Sequence, residues 1–360
     1  MGDRSAEDLF AGKNLPVLLG RPLRSIPTTV GERELRGARI LVTGAAGSVG
    51  TALVSRLITL DPEIVVALDT HEASLFHLSR GLPPGAPIDP RVADVRNEAK
   101  VRRLFHEIRP HVVFYLAAYK HVPFGEREAD EPVSVNVLGT DVVVRAATEL
   151  GVRHFVYPSS DKAVNPPSIY GATKRLAETI LLARVAAAVQ PAIHVVRYVN
   201  IIGSSGSVLE TFAQQARAGS PLTLTDSRMT RYWMAMDEAI DLLIHAIELP
   251  SGSCTLLDAG EPTPVTEMAE RLYCLIRGDG VKPEFVVTGA RPGERLSEEL
   301  ASASERLTPL RDDGVLGIHS SRIHDEPATS AMIDELKELL TETHVEALRS
   351  RVMELAKELQ

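Results

Sequence analysis

At 360 residues and 39.1 kDa the chain is long enough for two ordinary cores, and 44% hydrophobic content with a mean hydropathy of zero argues against both disorder and a membrane-embedded protein. With 48 acidic against 39 basic residues the formal net charge is -9. That field repels nucleic acid and anionic lipid, so neither is expected as a partner, whereas arginines focused in one cleft would still suit a small anionic ligand. Cys254 and Cys274 are too few for a disulfide framework and read as buried, reduced side chains; no Cys/His cluster has metal-ligand spacing, so no metal is expected.

In chain order, residues 1–36 carry Pro16, Pro22, Pro27 and scattered glycines without periodicity, and read as an arm lying on the surface. The start Met1-Gly2-Asp3-Arg4 has an acid where a secretory signal needs a basic residue, and no run approaches the ~18 apolar residues of a membrane span, so the protein is expected in the cytoplasm. Residues 37–202 alternate short apolar runs (Ile40–Val42, Ile64–Leu68, Arg91–Ala93, Val112–Leu116, His154–Tyr157, Ile193–Arg197) with helix-period segments (Val49–Leu60, Glu98–Ile108, Val133–Leu150, Tyr170–Ala188). This pattern predicts an α/β domain with a doubly wound parallel sheet of the Rossmann type. Residues 203–327 mix shorter elements and read as a smaller α/β substrate-binding lobe, some segments of which return to the first domain. Residues 328–360 read as two amphipathic packing helices.

Thr43-Gly44-Ala45-Ala46-Gly47-Ser48-Val49-Gly50 stands between the first strand and a helix. Glycines let a backbone approach a pyrophosphate, and the helix N-terminus offers it free N–H groups, so Gly44, Ala46, Gly47, Ser48, Val49 and Gly50 are candidate cofactor contacts. The second strand ends at Asp69, 19 residues after Gly50, where an acid accepts hydrogen bonds from an adenosine ribose and repels a 2′-phosphate. NAD is therefore expected, with NADP as the alternative; the competing reading of Asp69 is a helix N-cap. Asp94 and Val95, ending the third strand, fit an adenine contact, and Ala117 and Ala118 follow the fourth.

Ser159-Ser160-Asp161-Lys162 closes a strand and Tyr170-Gly171-Ala172-Thr173-Lys174 opens a helix, with Tyr170 and Lys174 on one helix face. A nearby ammonium stabilises a phenolate, which should pull Tyr170 below its free pKa of ~10 and let it take a hydroxyl proton. Burial should lower Lys162 toward neutrality as a base and keep Asp161 protonated as an acid. An exposed ion pair in a turn is the competing reading of that dipeptide.

With these motifs the chain resembles the extended short-chain dehydrogenase/reductases, and among them the UDP-N-acetylglucosamine 4,6-dehydratases of polysaccharide and flagellin-glycan synthesis. The most specific pieces are Ala117-Ala118-Tyr119-Lys120-His121-Val122-Pro123, Ser160 through Pro166, Met229-Thr230-Arg231-Tyr232-Trp233 and Arg291-Pro292-Gly293-Glu294-Arg295-Leu296. The resemblance implies a UDP-sugar substrate held by Lys120, Ser159, Ser160, Asn200, Arg231, Arg291 and Glu294, a recycled nicotinamide cofactor that Tyr170 and Lys174 also contact, and catalysis by Asp161, Lys162, Tyr170, Lys174 and Ser160. The planar forks of Arg231 and Arg291 suit a pyrophosphate. Departures from the family pattern are Ser160 for Thr, Val199 for Gly before Asn200, and Ser205 for Arg; the latter two are expected beside the substrate pocket.

The implied reaction oxidises carbon 4, removes water across carbons 5 and 6, and returns the hydride to carbon 6. A UDP-sugar 4-epimerase uses the same tyrosine and cofactor but needs no acid–base pair at carbons 5 and 6, so Asp161-Lys162 speaks against it. A non-catalytic NAD-binding scaffold or sensor would tolerate loss of Tyr170, which is present. Helices Val133–Leu150 and Tyr170–Ala188 carry more apolar surface than one sheet face needs, and with the resemblance this predicts a homodimer or higher homo-oligomer through them.

Overall fold

The apolar runs of the first half pair side by side as parallel strands, in a computed structural model that describes residues 9–187, 190–310, 314–322, 325–341 and 345–360. The strands are β1 (Arg39–Thr43), β2 (Ile64–Asp69), β3 (Ile88–Val92), β4 (Val112–Tyr115), β5 (His154–Ser160), β6 (Ala192–Tyr198) and β7 (Ser253–Leu257), joined by β8 (Glu305–Pro309) and β9 (Val315–Ser320). Their spatial order is β8-β9-β7-β6-β5-β4-β1-β2-β3; only the pairings made by β9 are antiparallel. Leu41 stands between Val66 of β2 and Val113 of β4, so the order reverses at β1, and a ligand crevice opens at such a switch point beyond the carboxyl ends of the strands.

The third strand begins earlier than Arg91 because Pro90 fits there: β3 is an edge, and an edge strand tolerates the missing N–H. The strand of the second lobe expected near Thr255 is β7, which lies against β6 and returns the chain to the main sheet.

Helices cover both faces: α1 (Ser48–Ile58), α2 (Glu72–Gly81), α3 (Glu98–Ile108), α4 (Gly139–Glu149) and α5 (Ile169–Ala187), then α6 (Val208–Ala218), α7 (Met236–Ala246), α8 (Val265–Arg277), α9 (Glu326–Thr341) and α10 (Val345–Glu358). The expected end of α5, residue 188, lies outside the described residues. Val133–Leu138, ahead of α4, is a π-helical turn that swings the Asn136 amide toward the loop after β4. There Asn136 accepts from the Tyr119 N–H at 2.8 Å and donates to the Tyr119 carbonyl and the Thr173 hydroxyl.

Two findings depart from the sequence expectation. From Gly171 to Leu181, α5 is buried on every side, because α9 and α10 close over it and contribute Met332, Ile333, Leu336, Leu348, Val352 and Leu355 to the same core. The surplus apolar surface that pointed to a partner is thus covered within the chain. The N-terminal arm also penetrates rather than drapes: Leu9, Leu15, Leu18 and Leu19 join Phe212, Trp233 and Leu272 in the core of the second lobe. Arg21 fixes the arm with a bidentate pair to buried Glu238 of α7 at 2.6 and 3.0 Å. Gly20, left-handed at φ +68°, ends the Asn14–Leu19 helix after six residues, too short to display a helical period. Residues 1–8 of the expected arm lie outside the described residues.

Candidate active site

The loop after β1 owes its shape to glycine at two places. Gly44 has φ +64°, and a Cβ there would stand 2.8 Å from the backbone joining Leu116 to Ala117; one on Gly50 would stand 2.2 Å from the Gly44 carbonyl oxygen. Gly47 caps α1 with extended backbone and no side-chain acceptor, leaving first-turn N–H groups turned to the crevice. Asp69 does not cap α2, a place taken by His71, whose ring accepts from the Ser74 N–H. Instead each Asp69 carboxylate oxygen accepts one N–H at 3.0 Å, from Ala46 and from His71, which locks the loop and leaves lone pairs facing a cleft of 720 Å³.

All eleven residues from Gly44 to Ala118 expected to touch the cofactor line this cleft. Arg96, missed in the sequence, lines it too and grips Asp94 at 2.7 and 3.0 Å, holding that carboxyl below its ordinary range. Only position signalled it: it sits two residues past a strand-end acid.

A second cleft of 980 Å³ opens on the other side of Val49, Leu116, Ala118, Lys120 and His121, which both clefts share. β5 runs out at Ser160 into a single turn, Asp161–Ala163, and α5 comes back over that turn at Gly171. A Cβ on Gly171 would lie 2.1 Å from the Lys162 carbonyl oxygen, so this close crossing requires glycine and brings Tyr170 onto the turn. Lys162 Nζ donates to Asp161 Oδ1 at 3.0 Å and to Asn200 Oδ1 at 3.5 Å, and the Ser160 hydroxyl donates to the same Asp161 oxygen at 2.9 Å. Asp161 is 1% exposed and sits behind Ser160 and Lys162, which form the cleft wall with Ser159, Tyr170 and Lys174. The pair is therefore not a solvated turn.

The charge states differ from those expected. Burial opposes the Lys162 charge, but Asp161, Glu298 and Tyr170 outweigh it and raise the lysine above its ordinary value. Tyr170 is likewise raised by burial, with the Lys162 ammonium and the Ser160 hydroxyl pulling the other way. The cation acting on the phenol is thus Lys162 rather than Lys174. Lys174 turns to the sheet, donating to the Pro158 carbonyl at 2.7 Å and lying 4.4 Å from the Tyr157 ring centre, and burial brings it down to about 7.

Lys120, Asn200, Arg231, Arg291 and Glu294 all line the larger cleft, with different freedom. Lys120 donates to the Ser205 carbonyl at 2.7 Å, and Asn200 donates to the Tyr232 carbonyl at 3.1 Å. Arg231 spends its fork on the carbonyls of Thr230, Arg295 and Leu296 at 2.7–3.1 Å, so it clamps backbone where a pyrophosphate contact was expected. Arg291 is exposed, in a turn braced by its N–H donating to Glu294 at 3.1 Å, and its guanidinium remains free for a ligand among the described residues. Val199 borders the substrate side as expected, whereas Ser205 lines the dinucleotide cleft and exchanges hydrogen bonds with Ser48 at 2.8 and 2.9 Å. Glu298, also missed, is buried on the cleft wall, 3.8 Å from Lys162 Nζ and 3.7 Å from Arg231 Nε. Glu299 beside it faces outward, and nothing in the sequence distinguishes the two.

Residues 40–318 match the family model described as "Polysaccharide biosynthesis protein". The chain belongs to that family. The short-chain dehydrogenase/reductase character read from the motifs agrees with this match. The chain is 37% identical to the capsular polysaccharide biosynthesis protein CapD of Staphylococcus aureus, over 80% of this chain but 49% of that protein, so it spans about half the length of such relatives. It is 30% identical to a UDP-glucose 4-epimerase of Rickettsia rickettsii (76% of this chain, 81% of that one). Against a UDP-N-acetylglucosamine 4,6-dehydratase (inverting) of Campylobacter jejuni it is 29% identical (75% and 79%). Among solved structures, Pen from Bacillus thuringiensis superposes with a TM-score of 0.72 at 27% identity, covering 81% of this chain and 90% of that one. No helix among the described residues is long and apolar enough to cross a membrane.

Proposed function

We propose that this protein is an NAD-dependent nucleotide-sugar enzyme, and specifically a 4,6-dehydratase converting UDP-N-acetylglucosamine to a UDP-4-keto-6-deoxy sugar. The observation that carries this reading is the Asp161–Lys162 pair, held 3.0 Å apart with Asp161 buried and with Lys162 and Tyr170 on the wall of the larger cleft. The smaller cleft suits NAD: uncapped N–H groups of α1 face the place for a pyrophosphate, and the Asp69 carboxylate offers lone pairs to a ribose while repelling a 2′-phosphate. NAD held there would supply the acceptor for the carbon 4 hydride and its return to carbon 6.

The chain's own groups do the rest. Tyr170 accepts the carbon 4 hydroxyl proton, and the charge of the Lys162 ammonium favours the phenolate this requires. Asp161 and Lys162 act as a unit holding one proton: a shift of that proton across their hydrogen bond leaves a neutral amine at the wall to take the carbon 5 proton, and the proton on Asp161 passes through Ser160 to the departing hydroxyl. Arg291 suits the diphosphate, with Lys120 at the junction of the clefts. A 4-epimerase is the second reading, favoured by the setting of Asp161 behind the wall. Incubation with UDP-N-acetylglucosamine in heavy water, without added cofactor, decides between them. A dehydratase yields a product lighter by one water, with deuterium on carbon 5 and the former carbon 4 hydrogen on carbon 6; an inverted carbon 4 at unchanged sugar composition and no label on carbon 5 rejects dehydration.

A further inference from the structure

Glu298 enters none of the chemistry above, yet it stands within ion-pair distance of the lysine that does. Its side chain is 5% exposed and its Oε1 lies between two cations, Lys162 Nζ at 3.8 Å and Arg231 Nε at 3.7 Å. The result is a line of alternating charge across the cleft: Asp161, Lys162, Glu298, Arg231. The segment carrying Glu298 is tied down ahead of it. The Thr230 N–H donates to the Leu296 carbonyl at 2.8 Å, the Thr230 and Ser297 hydroxyls are 2.8 Å apart, and Arg231 holds the Arg295 and Leu296 carbonyls.

We infer that Glu298 is a positioning residue that keeps the shared proton on the Asp161–Lys162 pair and links that proton to the seating of the second lobe. Its role in catalysis rests on the dehydratase reading, but its effect on Lys162 does not. The ionisable groups facing Lys162 are Asp161 from its own turn, Tyr170 from α5 and Glu298 from the 294–299 segment; Arg231 reaches Glu298, and Asn200 contributes a neutral oxygen. Of the two carboxylates, Asp161 accepts a hydrogen bond from Nζ at 3.0 Å, whereas Glu298, at 3.8 Å, acts through its charge alone. A negative charge beside a proton raises the affinity for it, so neutralising Glu298 should lower the pH at which the pair gives the proton up, by about one unit for opposite charges this close in a partly desolvated site. Both limbs of the rate profile should move down together, the upper one because the proton needed by the departing hydroxyl is lost sooner.

The test compares the whole protein with Glu298→Gln and Glu298→Asp. Only a neutral amine reacts with acetic anhydride, so trace labelling at pH 9, read by peptide mass spectrometry against exposed Lys337, reports the proton affinity of Lys162 without any substrate. We expect about tenfold faster labelling in Glu298→Gln, the equivalent of one pH unit, and an intermediate rate in Glu298→Asp, which withdraws the charge without deleting it. The pH–rate profile for water loss should shift downward by the same amount. Labelling of Lys162 unchanged in both variants would overturn the role of Glu298, even with dehydration intact. A parent protein that forms no dehydrated sugar, with labelling changed as expected, would remove the dehydratase reading and leave the charge coupling standing.

Discussion

Replacing Gly171 by alanine tests whether the crossing of α5 over the Asp161–Ala163 turn builds the active site. The added Cβ would lie 2.1 Å from the Lys162 carbonyl oxygen and 2.9 Å from Pro166 Cβ, where ordinary contact begins at 3.4 Å. The nearest obstacle is backbone, and α5 is buried on every side here, so no side-chain rotation relieves it; helix and turn must part by about 1 Å. Alanine gains roughly 0.5–1 kcal/mol of helix propensity over glycine, but crowding of this kind costs roughly 1–3 kcal/mol, so the variant should melt a few degrees lower. A displacement of about 1 Å between Tyr170 and the Asp161–Lys162 pair should lower kcat about 100-fold. Retention of NAD, measured by release on denaturation, should be unchanged, since neither Lys162 nor Gly171 lines the dinucleotide cleft. Gly81→Ala, where a Cβ meets nothing within 4 Å, serves as the control. Near-parental kcat with an unchanged melting temperature would refute the reasoning.

Tyr170→Phe should abolish hydride transfer while leaving cofactor content and melting behaviour intact, because it removes one proton acceptor and little volume; near-normal turnover would take Tyr170 out of the mechanism. Asp69→Ala should free the Ala46 and His71 N–H groups and shift preference toward NADP, read as the ratio of the two cofactors bound; a parent protein found loaded with NADP would already defeat that assignment. Lys174, brought to about 7 against an unfolded value near 10.4, takes up a proton on unfolding, so its cost to stability grows as pH falls from about 10.4 to about 7 and is constant below. Lys174→Met should therefore erase about 2–3 kcal/mol of the parent's gain in stability between pH 7.5 and 9.5, measured by urea midpoints.

The parallel half of the fold was legible because its strands are buried on both faces and so appear as unbroken apolar runs, each followed by a helical period. The loop at Gly44–Gly50 and the pairing of Asp161 with Lys162 were legible for the same reason: they sit at the strand ends where the crevice must open. Arg231 and Arg291 looked alike in sequence, and only tertiary geometry shows that one fork is spent on carbonyls and the other is free among the described residues. The proton affinity of Lys162 was misjudged because burial was weighed without the charges that together outweigh it, Asp161, Glu298 and Tyr170, of which Glu298 is brought in from 136 positions away. Charge states at a cleft are sums over elements distant in sequence, and a local reading omits most of the addends.

The same lesson bears on association. A helix that is apolar all round needs cover on every side, but its sequence does not say whether a second chain or the same chain supplies it. For α5 the supply is internal: Leu336 of α9 and Val352 of α10 are fully buried in the core that also holds Leu176 and Ile180. Association through α5 therefore requires α9 and α10 to leave first, at the cost of the contacts they make. Leu336→Ala measures that cover directly. Truncating a fully buried leucine typically removes roughly 2–5 kcal/mol, and the loss should appear as a lower urea midpoint, with activity at 25 °C and the mass from light scattering equal to the parent's. A loss below about 1 kcal/mol would mean that α9 lies loosely on α5, and the apolar surface of α5 would again call for a partner.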